Sequence, residues 1–120
     1  MKFARFVFRY AAIYGFLVLL PQYFMEERVG RDYPPPITHP EHFYGFIGVA
    51  LAWQAAYFLI STDPVRFRPF MLIAVLAKAS FGIAVAVLFL QNRVPGVVLG
   101  FATADLLLGA LFFSAWLRLR

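Results

Sequence analysis

Residues 74–90, AVLAKASFGIAVAVLFL, decide the architecture, because Lys78 is the single charge among them. A surface helix of a soluble protein sets an apolar stripe against a polar face, and a helix apolar all round is buried in a large protein or in a membrane. Ser80 is the one other polar side chain here, so Lys78 has no polar face to join. Working outward, Pro69 to Asn92 carries only Lys78, Val94 to Leu117 carries only Asp105, and Phe43 to Thr62 carries no charge. Each run reaches the roughly 20 helical residues that cross a bilayer core of about 30 Å. Tyr10 to Met25 is shorter and reaches that length if Arg9 extends its charged head to the lipid headgroups, as long basic side chains do. The expectation is an all-α integral membrane four-helix bundle in one domain, with helices at about 4–25, 41–62, 69–91 and 96–117 and a loop at 26–40.

Composition agrees. The 120 residues are 62% hydrophobic and 14% charged, far from the roughly one quarter charged of soluble domains, and the mean hydropathy is +0.76. A net charge of +5 raises the question of nucleic acid, but the placement of the charges answers it. Lys2, Arg5, Arg9, Arg66, Arg68, Arg118 and Arg120 fall on one side of the expected membrane, and Arg28, Arg31 and Arg93 on the other. The positive-inside rule then puts both termini in the cytoplasm and loop 26–40 in the periplasm. Basic ends facing anionic lipid account for the charge without nucleic acid.

Lys2, Arg5 and Arg9 ahead of an apolar run resemble a secretory signal, but PQYFMEE follows, without a small-x-small cleavage site. With Met1 in place, the first helix is expected to be retained. The chain has no cysteine, which excludes disulfides, thiolate nucleophiles, and cysteine-ligated zinc or iron–sulfur centres.

Prolines punctuate the helices. THPE at 38–41 fits a capping box, with Thr38 as N-cap and Glu41 three residues later. Asp63-Pro64, Pro69 and Pro95-Gly96 mark two short turns, so the last three membrane helices are expected to be antiparallel neighbours. Gly45, Gly48, Ala52 and Ala55 in the second helix, Ala74, Ala77 and Gly82 in the third, and Gly100, Ala104 and Gly109 in the fourth are expected at helix contacts. Small residues let membrane helices approach closely.

Lys78 falls roughly 12–15 Å inside its boundary at about 1.5 Å per residue. A charge at that depth is costly unless compensated. Asp105 lies about 12 Å below the opposite boundary, which leaves the two roughly 6 Å apart in depth. Lys78 is therefore expected to pair with Asp105. Gln54 and Tyr14 reach a similar level, so Tyr14, Gln54, Lys78 and Asp105 could form one hydrogen-bonded cluster, with Ser80 or Thr103 nearby. Intramembrane ionisable groups mark ligand, ion or proton sites by default. The alternative, and the preferred one, is an ion pair that fixes helix pairing, since transporters place their sites at broken helices and none is visible here.

His39 and His42 flank Glu41, but two histidines do not complete a zinc site, and Glu41 is assigned to the capping box, so no metal is expected. Trp53 and Tyr57 share a helix face, and with His42 they are candidates for contact with a hydrophobic ligand or pigment. No phosphate-binding loop, serine–histidine–acid set or carboxylate pair appears, and no cofactor of its own is expected.

The stretch EHFYGFIGVALAWQAAYFLISTDPVRFRPFM, 41–71, followed by a helix carrying a charge, resembles small bacterial four-helix membrane proteins of unknown function grouped loosely with the DoxX-like proteins. The resemblance covers most of the chain after residue 40 and rests on layout and the DPVRFRP turn, so it implies a bacterial inner membrane and no site residues. The expected function is that of a non-enzymatic accessory or scaffold subunit of a larger membrane complex. The alternatives are a small-ligand or proton binding or transport protein using the Lys–Asp pair, and a subunit contacting pigment or quinone.

Overall fold

The structure, a computed structural model, describes residues 2–119; Met1 and Arg120, which entered the reading of the first helix and of the charge balance, lie outside them. Helix α1 spans Lys2–Leu19 and runs into a 3-10 segment at Leu20–Phe24. After it come α2, Glu26–Asp32, then α3, Pro40–Thr62, α4, Arg68–Leu90, and α5, Gly96–Arg118. The protein is all-helical, and four of its helical stretches, Lys2–Phe24, α3, α4 and α5, are long and apolar enough to cross a membrane. Each has 23 residues, or about 34 Å at the helical rise.

Sequence explains most helix ends. Pro21 has no N–H to give to the carbonyl one turn back, so α1 tightens there, and the Gln22 side-chain amide donates to the Val18 carbonyl at 3.1 Å. The residue before a proline is pushed out of the helical region, and His39, with φ −125° and ψ 73°, stands there as the N-cap of α3 with Pro40 in the first turn. This corrects the capping box: Thr38 is one residue too early, the Glu41 carboxylate accepts from no backbone N–H at the helix start, and it instead meets His39 Nδ1 at 3.0 Å.

The loop at 26–40 is also corrected, because α2 occupies its first half. Glu26 and Glu27 sit in the first turn of α2 and Arg31 in its last, as the helix dipole favours. Gly30 is buried against the chain as it returns: a Cβ there would stand 3.1 Å from the Pro36 Cα.

Lateral packing differs most from expectation. Helix α3 lies along α1, α5 lies along α4, and α1 and α5 join the two pairs, while α3 and α4 touch only lightly. The short connection between α3 and α4 therefore joins helices that are not closely packed neighbours, meeting through long side chains such as Phe46 and Phe81. Ala4, Ala11, Ala12 and Gly15 of α1 are all buried, so α1 supplies the smooth surface. Against it α3 turns its larger residues Ile47, Gln54, Tyr57 and Ile60. The expected contact residues Gly45, Ala52 and Ala55 lie on the other side of α3, exposed. Gly82 and Gly109 do sit in the α4–α5 contact, while Gly100 faces open space.

At the centre Phe8 of α1 stacks on Phe112 of α5 with ring centroids 4.2 Å apart, and Tyr57 of α3 closes the group at 5.0 Å from Phe112. Ala4, Ala11, Met71, Ala74 and Ala115 pack around these rings. The end that carries the termini is tied by Arg9 Nε donating to Ser61 Oγ at 3.4 Å, Arg68 Nε to the Trp116 carbonyl at 3.0 Å, and Arg118 over the Phe3 ring at 4.0 Å. The outer surface is apolar: Leu17, Leu76 and Leu107 are 71%, 67% and 64% exposed, a surface suited to lipid rather than water.

Candidate functional site: a buried lysine–aspartate pair

Lys78 stands midway along α4, on the face that also carries Ala74 and Gly82, and all three are buried. Opposite, Gly109 gives the lysine stem room: a Cβ at that position would come within 3.3 Å of the Lys78 Cβ. One turn before Gly109, Asp105 projects toward the same gap. Lys78 Nζ donates to Asp105 Oδ1 at 3.2 Å, with the side chains 7% and 22% exposed. The expected pair is formed. Its ammonium also lies 5.3 Å from the centroid of the Tyr57 ring, so α3 contributes a π-face to the cation. Tyr14 of α1 is half-buried.

The wider cluster is looser than expected. Gln54 is buried, but its side chain lies over Gly15, where an added Cβ would overlap the amide. The Gln54 amide nitrogen donates to the Ala50 carbonyl at 3.0 Å, while Oε1 is buried without a hydrogen-bond partner. Gln54 thus shares the bundle interior with the pair without bonding to it, and a single hydrogen-bonded network of Tyr14, Gln54, Lys78 and Asp105 is not formed. Ser80 and Thr103 turn outward and bond to the Ala77 and Leu99 carbonyls of their own helices. Tyr57, assigned from sequence to a ligand contact, stands beside the pair. The available signal was its spacing, since Tyr57 follows Gln54 by one turn on the same face of α3.

Trp53 and Tyr57 are neighbours, with ring centroids 6.1 Å apart. His42 does not join them: it is exposed at the start of α3, about 16 Å from Trp53 and about 22 Å from Tyr57 along the helix at about 1.5 Å per residue. The proposed ligand set of Trp53, Tyr57 and His42 is therefore divided between the core and one end of the bundle. His42 gathers instead with His39 and Glu41, the one group of potential metal ligands among the described residues.

Two surface depressions lie elsewhere. One, about 410 Å³, is lined by Glu26, Glu27, Gly30, Arg31, Pro36 and Ile37. The other, about 170 Å³, is an apolar groove between α4 and α5 lined by Val75, Ala79, Leu106, Gly109, Ala110 and Phe113. Neither is lined by Lys78 or Asp105. No protein-family model, no curated protein and no solved structure matches this chain.

Proposed function

We propose that the protein is a non-enzymatic accessory or scaffold subunit of a bacterial inner membrane, with both termini cytoplasmic, packed against a larger membrane protein complex. One observation carries this reading. Helix α3 presents Gly45, Ala52 and Ala55 to the outside, with nothing within 4 Å of where a Gly45 side chain would begin. Small residues are the means by which membrane helices bring their backbones together, and in α3 that face is not used by the fold. The Lys78–Asp105 pair is then a folding device that holds α4 to α5. The excess of basic residues at the end of the bundle that carries the termini supports the orientation.

Purification in mild detergent followed by mass spectrometry tests the proposal. A larger membrane protein should accompany the chain in fixed proportion. Because the chain has no cysteine, Ala52→Cys and Leu107→Cys give single reactive sites on two helices. Crosslinking to that partner should occur from position 52 and not from 107. Recovery of the chain alone, or only as a homo-oligomer, refutes the reading.

A second reading is favoured by the unpartnered Gln54 Oε1, buried on the level of the pair: a small ligand or a proton engages Gln54, Tyr14, Lys78 and Asp105. The double variant Lys78→Met/Asp105→Leu separates the two. It should fold and retain its partner if the pair is structural, and it should lose ligand-linked or proton-linked activity, though folded, if the pair is a site.

A further inference from the structure

Glu41 is not engaged in capping, and its carboxylate lies between two imidazoles: Oε1 is 3.0 Å from His39 Nδ1 and 3.8 Å from His42 Nε2. One donor atom from each of the three residues falls within 4.8 Å of the other two. All three side chains are exposed. The neighbouring charges are occupied elsewhere, since Arg28 and Arg31 face Asp32 at 3.7 and 3.8 Å and Glu26 accepts from the Tyr44 hydroxyl at 2.9 Å. No arginine or lysine pairs with Glu41 among the described ion pairs.

We propose that His39, Glu41 and His42 form a three-ligand site for a borderline divalent cation of the zinc, nickel and copper class. Zinc binds imidazole nitrogen and carboxylate oxygen at about 2.0–2.2 Å, so two ligands of one ion stand at most about 4.4 Å apart. Donors already within 4.8 Å need only small rotations of free side chains to meet that limit. The ligand set chooses the metal. Two imidazoles and one carboxylate suit zinc, nickel and copper, whereas magnesium and calcium prefer oxygen ligands alone, and a chain without cysteine offers no thiolate. Pro40 stiffens the link between His39 and Glu41, and the first turn of α3 brings His42 back beside them.

The site is open. Three protein ligands leave a fourth position for water or for a group from a partner. The N-terminus of α3 repels a cation, and the Glu41 carboxylate in its first turn opposes that effect. The ligands stand at the end of the bundle away from the termini, and the whole set lies within four consecutive residues, so it does not depend on how the membrane helices pack.

The test uses the full chain without a polyhistidine tag, in detergent or nanodiscs, stripped with a chelator and titrated calorimetrically with Zn2+. One ion per chain is expected, with the affinity reduced by about tenfold or more in each of His39→Ala, Glu41→Gln and His42→Ala, in line with the sensitivity of metal sites to their supporting groups. Glu27→Gln, an exposed acid outside the set, should bind as the parent does. The chain has two histidines, so shifts of both imidazole resonances on addition of Zn2+ report the same event directly. Helical circular dichroism should be unchanged in all four variants, because every substituted side chain is exposed. The proposal is overturned by absence of binding, by affinity indifferent to the three substitutions, by equal loss in Glu27→Gln, or by one ion per two chains.

Discussion

Replacing Lys78 by methionine removes the cation and keeps most of the stem that crosses Gly109. Asp105 is then left with a charge in an apolar setting, having lost its partner at 3.2 Å. Breaking a buried pair from one side costs about 3–5 kcal/mol in soluble proteins, and insertion scales price an uncompensated charge at the centre of a membrane helix at about 2.5–3.5 kcal/mol. Because the Asp105 side chain keeps 22% exposure, the expected loss for Lys78→Met lies at the lower end, about 3 kcal/mol. Asp105→Leu should cost less, about 2 kcal/mol, since a lysine left alone can extend toward the headgroups and keeps the Tyr57 ring beside it.

The double variant leaves neither charge buried and should lie within about 1 kcal/mol of the parent, because apolar replacement of a whole buried pair is close to neutral. The cycle then closes with a coupling of about 4 kcal/mol between the two positions. Reversible unfolding in mixed micelles with an increasing fraction of dodecyl sulfate measures all four proteins. Trp53 and Trp116, both partly buried and untouched by the substitutions, supply the fluorescence signal. Additive losses, with the double variant near 5 kcal/mol by the sum of the two single estimates, would refute the assignment of the pair as a device joining α4 to α5.

Other positions give independent tests. Gly15→Ala drives a methyl group into the Gln54 amide and should destabilise the α1–α3 pair by about 1–3 kcal/mol; unfolding of the double variant with Gln54→Ala should show most of that loss recovered. Phe112→Ala removes the ring stacked on Phe8 and should cost about 2–3 kcal/mol in the same assay, below the usual 3–5 kcal/mol because lipid is as apolar as the core and only the packing is lost. For the proposed orientation, Arg31→Cys should react with an impermeant maleimide in intact cells and Arg66→Cys only after lysis, with the reverse pattern placing the termini outside.

The ends of the helices and the partner of Lys78 were legible in the sequence for the same reason: both depend on position along the chain. Pro40, Asp63-Pro64, Pro69 and Pro95-Gly96 interrupt backbone hydrogen bonding wherever they occur, and the fixed rise per residue places Lys78 and Asp105 at neighbouring depths before any packing is known. Helix α2 escaped because seven residues are too few to show a period, and its charges read equally well as a solvated loop. The capping box failed on one local rule, since His39 precedes a proline and leaves the helical region, which frees Glu41.

Which helix faces which was illegible, and the physics of the solvent explains why. In water, burial separates apolar from polar residues and leaves a periodic trace, whereas in lipid both sides of a helix are apolar and the trace disappears. Gly45, Ala52 and Ala55 on the outside of α3 have the same composition as Ala4, Ala11 and Gly15 inside the bundle. Polar residues are then the remaining guide, and they differ in what they report. Ser80 and Thr103 satisfy themselves on the carbonyls of their own helices and can face outward. Lys78 and Asp105 cannot do so and are drawn to each other. Gln54 is intermediate: its amide nitrogen is satisfied within α3 and its oxygen is not, yet it is buried. In a helix without amphipathic pattern, a polar group marks the interior to the extent that its own backbone cannot satisfy it, which makes the pair a firm marker, Gln54 a partial one, and the hydroxyls none.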